Sequence, residues 1–311
     1  MKSIISSVFF ILIFFEIQAG EEVSWFKDLE KAQQVSSRNK NLILVFANDN
    51  SYWSQKLKGV ITDFAALKKN ETAYTFCMLF SNDLSKTYIK DPGILLMHPK
   101  YGIITKIGYI PVDAVGFDNY IKKVVEDFER IKAIALNAKN FDSKELEKAF
   151  LLSKQMGSKV FQEELLEEGL KRFDTAFFAF EKYETLINRF PYYDERITDV
   201  KEEIRSKDPK NIQKYQLKLA MLDFLTLAKA GYDSEEVIKP LVDYANLYGE
   251  KDKKSLWKIY MTISQFFLGK KDYNKSLIYA REANKKAPRS VKKHIQSLVK
   301  YLRRKINTRN K

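Results

Sequence analysis

The sequence predicts an α/β amino-terminal region followed by an all-α carboxy-terminal region. Three observations carry that reading. Short apolar runs such as Leu42, Ile43, Leu44, Val45 and Phe46 alternate with helical patterns up to about residue 129. Beyond about residue 130 no strand pattern survives, and amphipathic helices with charged outer faces follow one another. The 311 residues, 45% of them hydrophobic, suffice for two cores.

Lys2 precedes an apolar stretch over residues 4–15, broken by Ser6 and Ser7, which runs on to Ile17, Gln18, Ala19 and Gly20. A short apolar core ending in small residues is the pattern of a cleavable signal peptide, here residues 1–19. A membrane-spanning helix needs about 20 apolar residues, and Glu16 interrupts this stretch. Export is therefore expected, with the periplasm as the destination. Cys77 is the one cysteine, so no intramolecular disulfide can form. It lies in the apolar run Tyr74–Phe80, which reads as a buried strand where a thiol behaves as a small hydrophobe. A reactive or dimer-forming thiol is the alternative.

Taken in order, residues 25–38 have helical periodicity, with Phe26, Leu29 and Ala32 on one side. The continuous run 42–46 fits a central strand covered on both faces. Residues 51–67 return to a helical period and residues 74–80 are strand-like. Residues 93–97 and 103–107 then form a hairpin across Pro99, Lys100, Tyr101 and Gly102. A helix over about 112–128 closes the α/β region. The expected domains are thus 20–129 and 130–290, with residues 291–311 as a basic amphipathic helix or tail.

Among the helices beyond residue 130, capping boxes mark two starts, Asp142 with Glu145 and Asp233 with Glu236. Within residues 257–290, apolar Tyr260, Ile263, Phe267 and Tyr273 combine with small Ser264, Ser276 and Ala283 and a closing Pro288. Their spacing suits two antiparallel helices in close approach, and the window resembles one tetratricopeptide repeat. A weaker match over residues 161–194 ends on Ala179, Tyr183, Leu186, Phe190 and Pro191, but holds Glu167 where its first helix needs a small residue. Residues 212–248 read as a further helical pair. The region is a degenerate repeat array or an ordinary helical bundle. The tetratricopeptide resemblance implies binding of peptides or helices on a concave face.

Residues 25–129 are similar to the thioredoxin-like superfamily. The similarity rests on Trp25, the lead-in from Lys40 to Phe46, and the helix start Ser51, Tyr52, Trp53 and Ser54 with Lys56 and Leu57. Pro92 and the Gly102 turn leading to Gly108 and Tyr109 complete it. Redox-active members carry Cys-x-x-Cys at that helix start. The first cysteine is an exposed thiolate favoured by the helix N-terminus, and the second resolves the mixed disulfide. Here both positions are serine, whose hydroxyl stays protonated and forms no S–S bond. Val45 stands where many redox-active relatives hold a buried proton-accepting acid, a further departure. Ser51 can still cap the helix. Pro92, between Asp91 and Gly93, matches the loop proline that is cis in these folds and faces the active-site helix. The resemblance therefore implies a peptide-binding face of Tyr52, Trp53, Pro92 and Gly93. The alternative is a proline retained by the fold and a tryptophan packed on its own helix.

His98 and His294 fall in different domains and no Cys or acidic cluster has metal spacing, so neither a metal site nor a histidine-based triad is expected. No Gly-rich phosphate loop occurs, and no cofactor is expected. The net charge of +14 is concentrated, since residues 285–311 hold 11 Lys or Arg and no acid. Val291, Ile295, Leu298, Val299 and Leu302 recur there at helical spacing beside Lys292, Lys293, Lys300, Arg303, Arg304 and Lys305. Such a helix contacts an anionic membrane surface, an acidic protein or a wall polymer, or else caps the array with a solvated basic face. Export removes the usual opportunity for nucleic acid. The expectation as a whole is a non-catalytic interaction or assembly scaffold of the cell envelope, with protein partners. Its rivals are an oxidoreductase or disulfide isomerase acting without Cys-x-x-Cys, through Cys77 or another unrecognised group, and a holdase chaperone with an exposed apolar groove.

Overall fold

The computed structural model describes residues 25–48, 51–68, 74–80, 93–108 and 110–309. The expected signal segment 1–19 and Pro92 lie outside the described residues. Two compact units are present, residues 1–165 and 166–311. The sequence placed the division at 129 and 130.

In the first unit the order is α1 (Leu29–Asn39), β1 (Leu42–Asn48), α2 (Tyr52–Leu67), β2 (Tyr74–Phe80), β3 (Gly93–His98), β4 (Gly102–Ile107) and α3 (Ala114–Leu136). The sheet runs β2-β1-β3-β4, with β1 and β2 parallel and the other two pairings antiparallel. The apolar run of β1 is inaccessible from residue 43 to 47 because both faces of the sheet are covered. Ile43, Val45 and Ala47 alternate onto one face, where they pack with Ala32 of α1 and with Cys77, Leu79, Leu95 and Met97. Leu44 and Phe46 take the other face. There α2 places Phe64 edge-on against Phe76 and Phe117, with ring centroids 6.3 and 5.1 Å apart.

The outer edge of β2 is covered by the residues before α1. The Phe26 amide donates to the Phe76 carbonyl at 2.9 Å and the Met78 amide to the Phe26 carbonyl at 2.8 Å, while Trp25 packs against Phe76. The expected hairpin is β3 and β4, and its turn ends on Gly102 at φ +75, a conformation glycine adopts without penalty. The helix expected to end near residue 128 runs on to Leu136, because Ile131 and Ala135 extend the buried stripe of Phe117, Ile121 and Phe128. Two further helices follow, α4 (Ser143–Met156) and α5 (Lys159–Arg172). The Asp142 capping box is reciprocal, with Asp142 accepting from the Glu145 amide at 2.9 Å and Glu145 accepting from the Asp142 amide at 3.1 Å.

The second unit continues with α6 (Ala176–Ile187), α7 (Glu195–Lys207), α8 (Tyr215–Ala230), α9 (Ser234–Tyr248), α10 (Lys253–Gly269), α11 (Tyr273–Lys286) and α12 (Arg289–Arg309). At α9 the expected box is half formed. Asp233 accepts from the Glu235 and Glu236 amides, but the Glu236 carboxylate turns to the Tyr193 hydroxyl at 3.1 Å.

The residues of the tetratricopeptide resemblance do meet. Ser264 and Ser276 are wholly buried, and each hydroxyl donates to the other's carbonyl at 2.9 Å, so α10 and α11 approach almost backbone to backbone. Ile263 and Phe267 are buried beside them, and Phe267 stacks on Tyr279 with 5.8 Å between centroids. Ala283 packs with Tyr260, and Pro288 sits in the connection from α11 to α12.

In the weaker match the close approach comes two positions after Glu167, at Gly169, where the ring of Phe178 occupies the space a Cβ would take, 2.3 Å from the nearest ring atom. Phe178 is fully enclosed and cannot swing away. Gly169→Ala is therefore expected to destabilise the helical unit by about 1–2 kcal/mol. The overpacking cost of roughly 1–3 kcal/mol outweighs the gain in helix propensity of up to about 1 kcal/mol. Denaturant unfolding followed by far-UV circular dichroism measures this, and an unchanged or raised midpoint would disprove the close approach.

Candidate functional site

The chain leaves β1 at Asn48 and re-enters a helix with Ser51 as the N-cap of α2. Ser51 is extended at φ −67, ψ 163, and its hydroxyl accepts a hydrogen bond from the Ser54 amide at 3.2 Å. Ser54 is wholly buried, whereas Tyr52 and Trp53 are 61% and 52% exposed. The two rings sit edge to face at 5.3 Å, and the Lys56 ammonium lies 5.1 Å from the Tyr52 ring centroid. Gly93 begins β3 and pairs in register with Ala47, which places it at the same end of the sheet as the start of α2. Pro92, the other residue expected on this face, lies outside the described residues.

The helix start therefore supplies backbone donors and a positive dipole end, but hydroxyls where a nucleophile would have to ionise. The chain's single thiol is elsewhere. Cys77 lies inside β2 with no exposed surface, and burial, aided by the charge of Asp28, pushes it up to about 12. Val45 is buried among apolar neighbours on the α1 face of the sheet, with no carboxylate at that position.

No family model matches the chain. Over 164 residues it is 34% identical to a curated protein named thioredoxin-related protein DsbJ, from Chlamydia pneumoniae. The match takes in 51% of this chain and 47% of the relative, so the chain spans about half the length of the curated relative it matches. The fold of the amino-terminal unit is thioredoxin-like. Among the described residues no helix is long and apolar enough to cross a membrane, and no three His, Cys, Asp or Glu residues are placed to hold a metal ion.

Sequence reasoning missed a second constellation, inside the helical unit. Lys201 of α7 reaches Asp223 of α8 at 3.1 Å, and the Tyr183 hydroxyl of α6 donates to the same carboxylate. The Lys201 ammonium also lies 3.7 Å from the centroid of the Tyr192 ring. Tyr192, Lys201 and Asp223 line a cavity of about 510 Å³, together with exposed Tyr193 and Leu247. Burial pushes the Asp223 carboxyl up and the Lys201 ammonium down, and their mutual attraction only partly offsets it. One signal was available in the sequence. Asp223 interrupts the apolar stripe of Leu219, Ala220, Phe224 and Leu227, where a carboxylate needs a partner.

Two outcomes are expected from these sites. Cys77 should resist a thiol reagent in the folded protein and label stoichiometrically in denaturant, while an introduced Ser51→Cys thiol labels in the folded state with a pKa below the ordinary value of about 8.5. Prompt labelling of Cys77 would contradict its burial. Asp223→Ala should cost roughly 3–5 kcal/mol by stranding the Lys201 charge, and adding Lys201→Met should recover much of the loss. A double-mutant cycle on unfolding free energies measures the coupling, and additive losses would dismiss it.

Proposed function

We propose that the chain is an exported, non-catalytic interaction protein of the cell envelope, whose thioredoxin-like unit holds an extended stretch of a partner protein at the start of α2. One observation carries this reading: a preserved helix start presents two large aromatic side chains to solvent while serines replace both thiols. Exposed Tyr and Trp side chains combine apolar area with polar tips and are enriched at the centres of protein interfaces. The N–H groups of the first helical turn add donors for a partner's carbonyls. Thiol–disulfide exchange, by contrast, needs an accessible thiolate, and Cys77 is enclosed in the sheet with its proton firmly held. The match to a thioredoxin-related protein supports the domain type, and the short apolar segment with small residues at 17–20 supports export.

Photo-crosslinking in intact cells tests the proposal, with a benzophenone side chain in place of Tyr52. A discrete adduct is expected that disappears when Trp53→Ala is added, with an unchanged melting temperature for that variant. An adduct indifferent to Trp53→Ala, or none at all, would remove the α2 face from the function.

A further inference from the structure

The two last helices form an antiparallel hairpin joined by Ala287 and Pro288. Their apolar sides close on each other, Ala280 and Leu277 packing with Leu302, and Ala283 and Ala287 with Ile295. Ile295 and Leu302 of the α12 apolar stripe are buried against α11, and Val291, Leu298, Val299 and Ile306 are partly buried beside them. Beside this seam lies a cavity of about 350 Å³ whose polar lining comes from both helices. From α11 come Arg281, Asn284 and Lys285, and from α12 come Gln296, Lys300 and Arg303. Spacings of three and four residues put each set on one face of its helix.

The charge of this lining is one-sided. Lys285 is ion-paired to Glu282 on the preceding turn, but among the described residues Arg281, Lys300 and Arg303 have no carboxylate partner. The side-chain oxygen of Asn284 is buried and makes no hydrogen bond. Several lysines elsewhere in this unit do pair with acids, as Lys201 with Asp223, Lys207 with Asp174 and Lys214 with Asp252. Concentrating unpaired cations from two helices around one cavity opposes folding through like-charge repulsion, and an anion relieves it.

We propose that this cavity binds a phosphate group, carried either by a soluble phosphate or by the headgroup of an anionic phospholipid. A phosphate offers up to two negative charges and three acceptor oxygens, which matches cations converging from both helices better than a planar carboxylate does. The two guanidinium groups donate in forks, the lysines act as point charges and the Gln296 amide adds a donor. The Asn284 carbonyl accepts from a hydroxyl of the ligand. This site is independent of the reading of the α2 face.

The test uses the full chain in two arms, calorimetric titration with inorganic phosphate and cosedimentation with vesicles of phosphatidylglycerol in phosphatidylcholine. The variant Arg281→Gln with Arg303→Gln removes two charges from the cavity. The variant Lys292→Gln with Lys293→Gln removes two from the same region without touching the lining. Binding should weaken at least about tenfold in the cavity variant and change less than about threefold in the control. That pattern with inorganic phosphate identifies a soluble ligand, and that pattern with vesicles alone identifies a lipid headgroup. Equal losses in both variants, or no binding in either arm, would overturn the proposal.

Discussion

Burial of β1 on both faces is the constraint on which the first unit depends. Five consecutive residues, 43 to 47, are inaccessible to solvent. Each large apolar side chain among them contributes roughly 1.5–3 kcal/mol by leaving water. A strand of this kind needs partners on both edges and cover on both faces. It obtains them from β2 and β3, from α1 on one side and from α2 with α3 on the other. The position of the α2 start follows, because the chain must turn from the end of this central strand into the helix that covers it. That turn exists whichever residues occupy it.

The fold thus keeps a helix N-terminus at the end of the sheet while the chemistry there is open to change. Ser51 caps the helix and Ser54 is enclosed. The exposed surface is left to Tyr52 and Trp53, steadied by their edge-to-face contact. Placement and chemistry point in different directions here. Placement is that of a thioredoxin-like site, while the residues suit binding.

Legibility in the sequence followed the reach of the forces involved. The strands of the first unit were readable because their burial is written as continuous apolar runs, and the α10–α11 hairpin because small and large residues alternate at helical spacing. The boundary of α3 was misjudged because polar residues around 129 and 130 mask a stripe that resumes at Ile131 and Ala135. The pair Lys201 and Asp223 was missed because each looks like an ordinary charge on a helix face until three helices bring Tyr183, Lys201 and Asp223 together. Gly169 went unnoticed because the contact it permits, with Phe178, joins two helices, α5 and α6, whose relative register the sequence does not state. The basic tail was visible as charge, but the packing of its apolar side on α11 and the cavity it shares with that helix required the structure.

A thioredoxin-like fold that carries serines at the α2 start, with its one thiol enclosed, is expected to have no thiol–disulfide activity. Reduction of insulin disulfides by dithiothreitol, followed by turbidity, measures this with the purified protein added at increasing concentration. The expected result is the uncatalysed rate at every concentration, for the protein as it stands and for Cys77→Ala alike. Acceleration proportional to protein concentration and abolished by Cys77→Ala would contradict it.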